Sequence, residues 1–542
     1  MLISILKMYE DLPKPALPSV LLAFLSLLLA VICWKWINTW IVPRFLGTYP
    51  PPPGPFPWPV IGNALQLGSL PHISFVSLAK KYGEVFQIKL GSKKVVVLNG
   101  EKVIRQALVQ KGTDFASRPR FPSFKFVSGG RSLAFGVYNE RWKAHRKIAQ
   151  STVRAFSTRN PQTKKTLGQH VLNEARELIA LFSELGEGGK FFSPGRHLVV
   201  TVANVMSAIC FGRRYHHGDL EFQSLLSNND KFSKTIGAGS LVDVMPWLQL
   251  FPNPVRNVFR GFQQVNDEFY RFVYSKFLQH RKTAHHGVTR DIMDAFIHIL
   301  IGNEEMKNGQ PGTTLLESEH VPSTVTDIFG ASQDTLSTAL QWLIFFLIRY
   351  TDIQKMMQEE VDRVIGRSRL PCIEDQPNLP YIMAFLYELM RFSSFVPVTI
   401  PHATTKDTHL MGYNIPKDTV VFVNQWSVNH DLVKWSSPEE FNPSRFLDDK
   451  GFLNKDMASS VMIFSVGKRR CIGEEMSKMQ LFLFTSILVH QCEFAANPTC
   501  NLNQECDYGL SIRPKPFMIS MKLRDGNMSL LDNTILRNQA EK

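Results

Sequence analysis

The stretch Phe464-Ser465-Val466-Gly467-Lys468-Arg469-Arg470-Cys471-Ile472-Gly473 concentrates more chemistry than any other in the chain, and a helical run over 474–490 follows it. A thiolate that ligates iron needs its negative charge stabilised and its sulfur protected from oxidation. Cys471 stands just before a helix start, where free N–H groups and the positive dipole end lower a thiol's pKa. Gly467 and Gly473 supply the tight turns and close backbone approach that a flat macrocycle resting on the loop requires. Phe464 is placed to shield the sulfur, and Arg469 suits a carboxylate at the macrocycle edge. A lone cysteine in apolar surroundings is normally a packing residue. Ten residues agreeing in type and spacing outweigh that here.

Other patterns carry charge or hydroxyl chemistry. Glu388 and Arg391 are neighbours at i, i+3 on one helix face, a spacing usually filled by an ordinary surface pair. Pro443-Ser444-Arg445-Phe446 adds a further arginine downstream. Trp142 and Arg146 stand at i, i+4, a spacing that helix packing alone explains. Asp334 and Thr335 lie mid-way along a helical pattern with apolar neighbours, so the pair reads as buried, and an acid beside an alcohol can relay protons. The 39 Phe outnumber the 9 Trp and 12 Tyr together, and Phe121, Phe124, Phe126 and Phe135 cluster within one short stretch. Most of these are plain core. Aromatic faces that do reach a cavity would stack on planar ligands. No G-x-G-x-x-G or G-x-x-x-x-G-K-[S/T] occurs, since Gly237-Ala238-Gly239 lacks the third glycine. The chain therefore shows no recognisable nicotinamide or flavin site of its own. Lys143, Lys147, Lys468 and Arg470 form a candidate cationic docking face.

The elements that must position these residues are mostly helical. Helical periodicity covers 166–185, 255–281, 321–350, 352–364 and 380–392; strand-like runs cover 419–424 and 517–523, and 87–99 reads as a hairpin turning at Gly91-Ser92. The fold class is mainly α with minor β. Of 542 residues, 44% are hydrophobic and 20% charged, which excludes disorder. The 61 Lys+Arg exceed the 47 Asp+Glu by 14, but the excess is scattered, so solvated surface, lipid headgroups or an acidic partner account for it and no nucleic acid is expected. Cysteines at 33, 210, 372, 471, 492, 500 and 506 contain no C-x-x-C pair, against structural zinc and a disulfide scaffold. From 15 to 34 the chain carries no charge, about 30 Å as a helix and one hydrocarbon thickness. Trp34, Trp36 and Trp40 suit an interfacial belt, and Lys35 and Arg44 bias the bulk of the chain to the cytosol. The prolines of 50–59 read as a stiff extended spacer.

The Cys471 segment matches the F-x-x-G-x-R-x-C-x-G signature of the cytochrome P-450 haem-thiolate monooxygenases, and the resemblance runs from the anchor almost to the tail. The chain most resembles vertebrate microsomal family 1, subfamily B, through the runs 237–247, 327–337 and 392–401. Length alone suggests two to four domains. The resemblance replaces that with one catalytic domain of the cytochrome P-450 fold over 60–524, behind an N-terminal single-pass membrane anchor and flank at 1–48 (helix about 15–34) and a hinge at 49–59, with a polar tail at 525–542.

The resemblance also implies residue roles. Cys471 is the axial ligand of haem b; Arg118, Trp142, Arg146, His402, Phe464 and Arg469 bind the haem; Glu388, Arg391 and Arg445 form a partly buried triad holding the Cys471 loop. Asp334 and Thr335 deliver protons to iron-bound oxygen. The family motif A-G-x-[D/E]-T reads Ala331-Ser332-Gln333-Asp334-Thr335 here, with serine for glycine, which leaves any helix distortion to the adjacent Gly330 or to a Ser332 bond to its own backbone. Phe135, Phe232, Phe269, Gly330, Ala331, Val396, Ile400 and Leu510 line a narrow flat cavity, with Asn229 and Gln333 as polar contacts. Expected substrates are polycyclic aromatic hydrocarbons, steroids such as oestradiol, retinoids and fatty acids such as arachidonate. NADPH electrons arrive through NADPH–cytochrome P-450 reductase, with cytochrome b5 as a further candidate partner, at the endoplasmic reticulum membrane; a mitochondrial pool stays open. The activity implied is that of an unspecific monooxygenase. A hydroperoxide isomerase or dehydratase needing no external electrons, and a non-catalytic haem carrier, are the competing classes.

Overall fold

The computed structural model describes residues 49–524 apart from 217–218, 238–240, 286–287, 306–316, 500–501 and 503–504, together with isolated positions between 19 and 34. The expected anchor is thus described only at those isolated positions, and the polar tail falls outside the described residues. Among those residues no helix is long and apolar enough to cross a membrane.

The longer helices in chain order are α1 (Pro71–Tyr82), α2 (Glu140–Arg154), α3 (Pro161–Leu185), α4 (Gly195–Phe211), α5 (Leu220–Gly237), α6 (Pro254–Thr283), α7 (Ile292–Glu305), α8 (His320–Arg349), α9 (Thr351–Val364), α10 (Pro380–Ser393) and α11 (Glu474–Gln491). Local signals set their starts. Asn160 and Asn253 cap α3 and α6 through side chains that accept from Gln162 N (2.9 Å) and Arg256 N (3.0 Å), each just ahead of a proline in the first turn. The central α8 is buried on almost every face and packs against α4, α6, α10 and α11. One apolar cluster running from Leu133 to Met521 gathers these helices.

The expected hairpin is β1 (Val85–Leu90) with β2 (Lys93–Leu98), and Gly91 takes φ +55° at the turn. Two later strands, β3 (His402–Ala403) and β4 (Val420–Val423), complete this sheet. Strand β2 pairs in parallel with β4, which pairs antiparallel with β3, giving the order β1-β2-β4-β3. Beyond α11, β5 (Cys492–Ala496) runs antiparallel to β6 (Ile519–Leu523), the strand that forms from the 517–523 run.

The proline run and several helices that periodicity does not show, α1, α4, α5 and α7 among them, depart from the sequence expectation. The proline run at 50–59 is extended as its composition demands, but it is docked rather than a free spacer. Pro53 O accepts from Gln87 N (2.7 Å), Pro50 O accepts from Asn414 N (3.0 Å), and a Cβ at Gly54 would lie 1.9 Å from Gln87 O. Helix α4 is absent from the expected elements because its buried residues run unbroken from Val200 to Phe211, leaving no polar stripe to reveal the period.

Candidate active site

Beneath α8 lies a cavity of about 290 Å³. Thr324, Asp327, Ala331 and Thr335 of α8 wall one side, the 464–473 loop the other, and Arg118, Arg146, Arg469 and His402 the rim. Within the loop, Cys471 N donates to Phe464 O (2.9 Å) and closes the turn. Gly467 takes φ +75°, and a Cβ there would sit 1.8 Å from Leu108 O, so only glycine fits. Gly473 differs from expectation. Its φ is −92°, its virtual Cβ meets nothing closer than 4.0 Å, and it serves instead as the N-cap of α11. Cys471 is exposed at the cavity, yet desolvation by the protein around it pushes the thiol up; the Gly473 N–H pulls it down, Glu474 pushes it up, and Arg146 and Arg470 pull it down, with desolvation winning. The helix start alone therefore does not make the thiolate expected from sequence, and a bound metal cation is what would.

Three guanidiniums crowd the rim. Arg118 is 5% exposed and donates to Ala134 O (2.9 Å), Ile400 O (2.8 Å) and Pro401 O (3.1 Å). Arg469, also buried, donates to Ala116 O (2.7 Å), Leu133 O (3.3 Å) and Gly136 O (2.7 Å) and lies 3.7 Å over the Trp142 ring. The half-buried Arg146 donates to Arg470 O and reaches the same ring at 5.4 Å. Burial with the neighbouring Arg146 charge pushes Arg118 down to about 9, and burial with Arg118 and Arg146 pushes Arg469 down to about 7. Among the described residues no carboxylate pairs with any of the three. His402 Nδ1 faces Phe115 O at 2.8 Å, and burial with the Arg118 charge holds its ring neutral. A cavity with a thiol on one wall and three guanidiniums answered only by carbonyls at its rim fits a metal macrocycle that carries carboxylates. Trp142 differs from expectation here: its indole N–H donates to Leu133 O (2.9 Å), so the ring serves as a platform for Arg469 rather than as a free donor.

The other predicted residues sort as follows. Glu388 and Arg391 are fully buried and bonded through both carboxylate oxygens (2.6 and 2.8 Å), and Arg445 Nε donates to Glu388 Oε1 (3.1 Å). Asp334 and Thr335 do not share the cavity. Thr335 lines it and donates back to Ala331 O (2.8 Å), whereas Asp334 turns away, ion-paired with Arg513 and accepting from Ser511 Oγ (2.7 Å). Consecutive helical residues point about 100° apart, which separates them. The back-bond falls to Thr335, not to Ser332.

Ala331, Val396, Ile400 and Leu510 line the cavity, and Phe464 joins them. Phe135 lies in an adjoining apolar cluster with Phe259 and Phe262, against which Phe232 and Ile400 pack, and Phe269 contacts Phe329 (5.9 Å). Gly330 and Gln333 are not on the cavity wall; Gln333 is buried, and neither amide atom has a partner among the described residues. The Asn229 side chain is outside the described residues. On the cationic face, Lys143 pairs with Glu140 and Arg470 with Glu474, whereas Lys147 and Lys468 carry no ion pair among the described residues. Asp327, on the cavity wall, is not singled out by the sequence for any role. Asp327 accepts four hydrogen-bond donors from residues 128–134, a loop almost two hundred positions away in the chain.

Residues 51–521 match the cytochrome P450 family, and the chain belongs to it. It is thus an oxidoreductase of the haem-thiolate monooxygenase class. It is 58% identical over 522 residues to cytochrome P450 1B1 of Mus musculus, covering 96% of this chain and 95% of that one. It is 60% identical over 492 residues to cytochrome P450 1B1 of Homo sapiens (91% and 90% covered), and 40% identical over 512 residues to cytochrome P450 1A1 of Sparus aurata (94% and 96%). These similarities support family 1, subfamily B.

Proposed function

We propose that the chain inserts one oxygen atom of O2 into planar hydrophobic substrates, with NADPH electrons delivered by a membrane-bound flavin reductase. Polycyclic aromatic hydrocarbons, steroids such as oestradiol, retinoids and arachidonate-type fatty acids are the substrate classes, and the endoplasmic reticulum membrane, through the 15–34 segment, is the location. The observation that carries this is one cavity bounded by the Cys471 thiol, an apolar wall and three guanidiniums that no carboxylate of the described residues pairs.

When bound, the haem supplies the iron at which O2 is activated. Cys471 would hold its iron through the sulfur, with Phe464 on the same cavity wall; Arg118, Arg146, Arg469 and His402 would hold its carboxylates, and the Trp142 ring supports the Arg469 guanidinium. Thr335 holds a proton at Oγ1 on the cavity wall. Asp334, bonded to Arg513 and Ser511, fixes the register of α8 against the 511–513 segment. Val396, Ile400 and Leu510 exclude water and favour flat apolar ligands. Glu388, Arg391 and Arg445 hold the strands of chain that lead to the thiol loop.

Reduction under carbon monoxide should give the red-displaced Soret band of thiolate-ligated haem. Product mass spectrometry on a mixed substrate panel, with and without NADPH and reductase, then separates a monooxygenase from a hydroperoxide dehydratase, which needs neither. The reductase docks through Lys147 and Lys468, the two cations of that face without ion pairs among the described residues. Reversing both charges should slow reduction about ten-fold or more at low salt and little at high salt; unchanged rates at low salt would remove this docking face.

A further inference from the structure

The segment 128–136 carries the acceptors that orient the guanidinium cluster. Leu133 O takes bonds from Trp142 Nε1 (2.9 Å) and Arg469 (3.3 Å), Ala134 O from Arg118 Nε (2.9 Å), and Gly136 O from Arg469 (2.7 Å). This segment is not regular structure able to hold itself. Ser128 stands at φ +53°, followed by Gly129 at +63° and Gly130 at +78°, and a Cβ at Gly129 would lie 2.7 Å from the Tyr270 ring. A non-glycine residue in the left-handed region is strained, so something outside the segment must fix it.

That group is the Asp327 carboxylate on α8. Its Oδ1 accepts from Ser128 Oγ (2.5 Å) and Ser132 Oγ (2.9 Å); its Oδ2 accepts from Leu133 N (2.6 Å) and Ala134 N (3.1 Å). Ser132 Oγ in turn accepts from Phe135 N (3.1 Å), extending the hold to the aromatic wall. Burial pushes the Asp327 carboxyl up, and the Ser128, Ala134, Ser132 and Leu133 donors oppose it. The carboxylate thus grips two of the three residues of the segment whose carbonyls face the arginines, Leu133 and Ala134, with Gly136 two positions further on.

We infer that Asp327 is a positioning residue for the haem-carboxylate grip: it sets the 128–136 segment so that the Leu133, Ala134 and Gly136 carbonyls aim Arg118 and Arg469 at the cavity rim. The inference rests on the proposed role of those arginines. Asp327 acts through the loop and touches neither guanidinium. Loss of its charge should therefore weaken haem retention only by way of Arg118 and Arg469.

The test is haem transfer from the ferric holoprotein to excess apomyoglobin. Asp327→Asn, Arg469→Lys and the double variant are compared with Asp375→Asn, which breaks a remote buried-carboxylate contact. Removing charge assistance from a multiply bonded carboxylate should speed haem loss about ten-fold, and hydrogen exchange at the Leu133 and Ala134 amides should rise in the loaded protein. The double variant should lose haem more slowly than the product of the two single effects, because part of the Asp327 effect runs through Arg469 and part through Arg118, while Asp375→Asn leaves the rate unchanged. If Asp327→Asn does not accumulate as loaded protein, Ser132→Ala removes one donor and should give a smaller acceleration with the same non-additivity. Multiplicative effects of Asp327 and Arg469 substitutions, or an unchanged rate in Asp327→Asn, would overturn the inference. An unchanged rate in Arg469→Lys would instead remove the arginine grip.

Discussion

Two clusters are built on arginine, and they differ in whether the protein supplies the anion. At Arg391, fully excluded from solvent, Glu388 answers the fork with both oxygens, and the remaining N–H groups reach Asn429 O (2.9 Å), Pro438 O (3.0 Å) and Glu440 O (3.3 Å). At Arg118, Arg146 and Arg469 only carbonyls answer, and three like charges share one largely buried rim. Buried charge without a counter-charge is expensive. The first cluster is closed and holds the fold; the second is open and describes its ligand as anionic and wide enough to meet several guanidiniums. Identical residue types thus carry opposite meanings, and the carboxylate decides which.

The largest expected effect lies in the closed cluster. Glu388→Ala leaves Arg391 buried and unpaired, which should cost about 3–5 kcal/mol; the urea midpoint should collapse and the thiolate-haem Soret band should vanish from expressed protein. A wild-type midpoint would mean that the cluster is not closed in the sense described. The open cluster should respond with a change of sign. Arg469→Met removes one of three repelling cations, so the haem-free protein should gain roughly 1–3 kcal/mol, while the loaded protein should release haem faster. Destabilisation of both forms would erase the contrast.

The smallest effect belongs to a peripheral pair, Arg369 and Asp375 (2.7 Å). The Arg369 bonds, opposed by burial and helped by the Cys372 N–H, hold the Asp375 carboxyl down at about 2. Its folded pKa lies below the unfolded one, so its contribution is complete above the ordinary carboxylate range near pH 4 and fades as pH falls toward about 2. Asp375→Asn should cost about 1 kcal/mol at neutral pH and flatten that stretch of the acid-stability curve. Urea titrations at several pH values measure both.

Much of the fold is legible in the sequence. The sequence delimits α6 and α10 to within a residue or two because each opens on a proline in its first turn. Gly91-Ser92 marks the hairpin turn, and the spacing of Glu388 and Arg391 marks a pair. What stays hidden is relational. Nothing local says that Asp334 finds Arg513, that Asp327 grips Ser128 and Ser132, or that Arg118, Arg146 and Arg469 converge, since each depends on chain crossings of a hundred residues or more. Asp334 and Thr335 are parted for a simpler reason: neighbours in sequence are not neighbours on a helix surface.

The Arg469 to Ala116 bond spans 353 positions, and the Leu108 carbonyl presses on Gly467 across a similar gap. Such distant partners meet only when nearly the whole polypeptide has left the ribosome, so pigment capture must be a closing event of biogenesis, with the amino-terminal half waiting, pocket unfinished, for its carboxyl-terminal clasp.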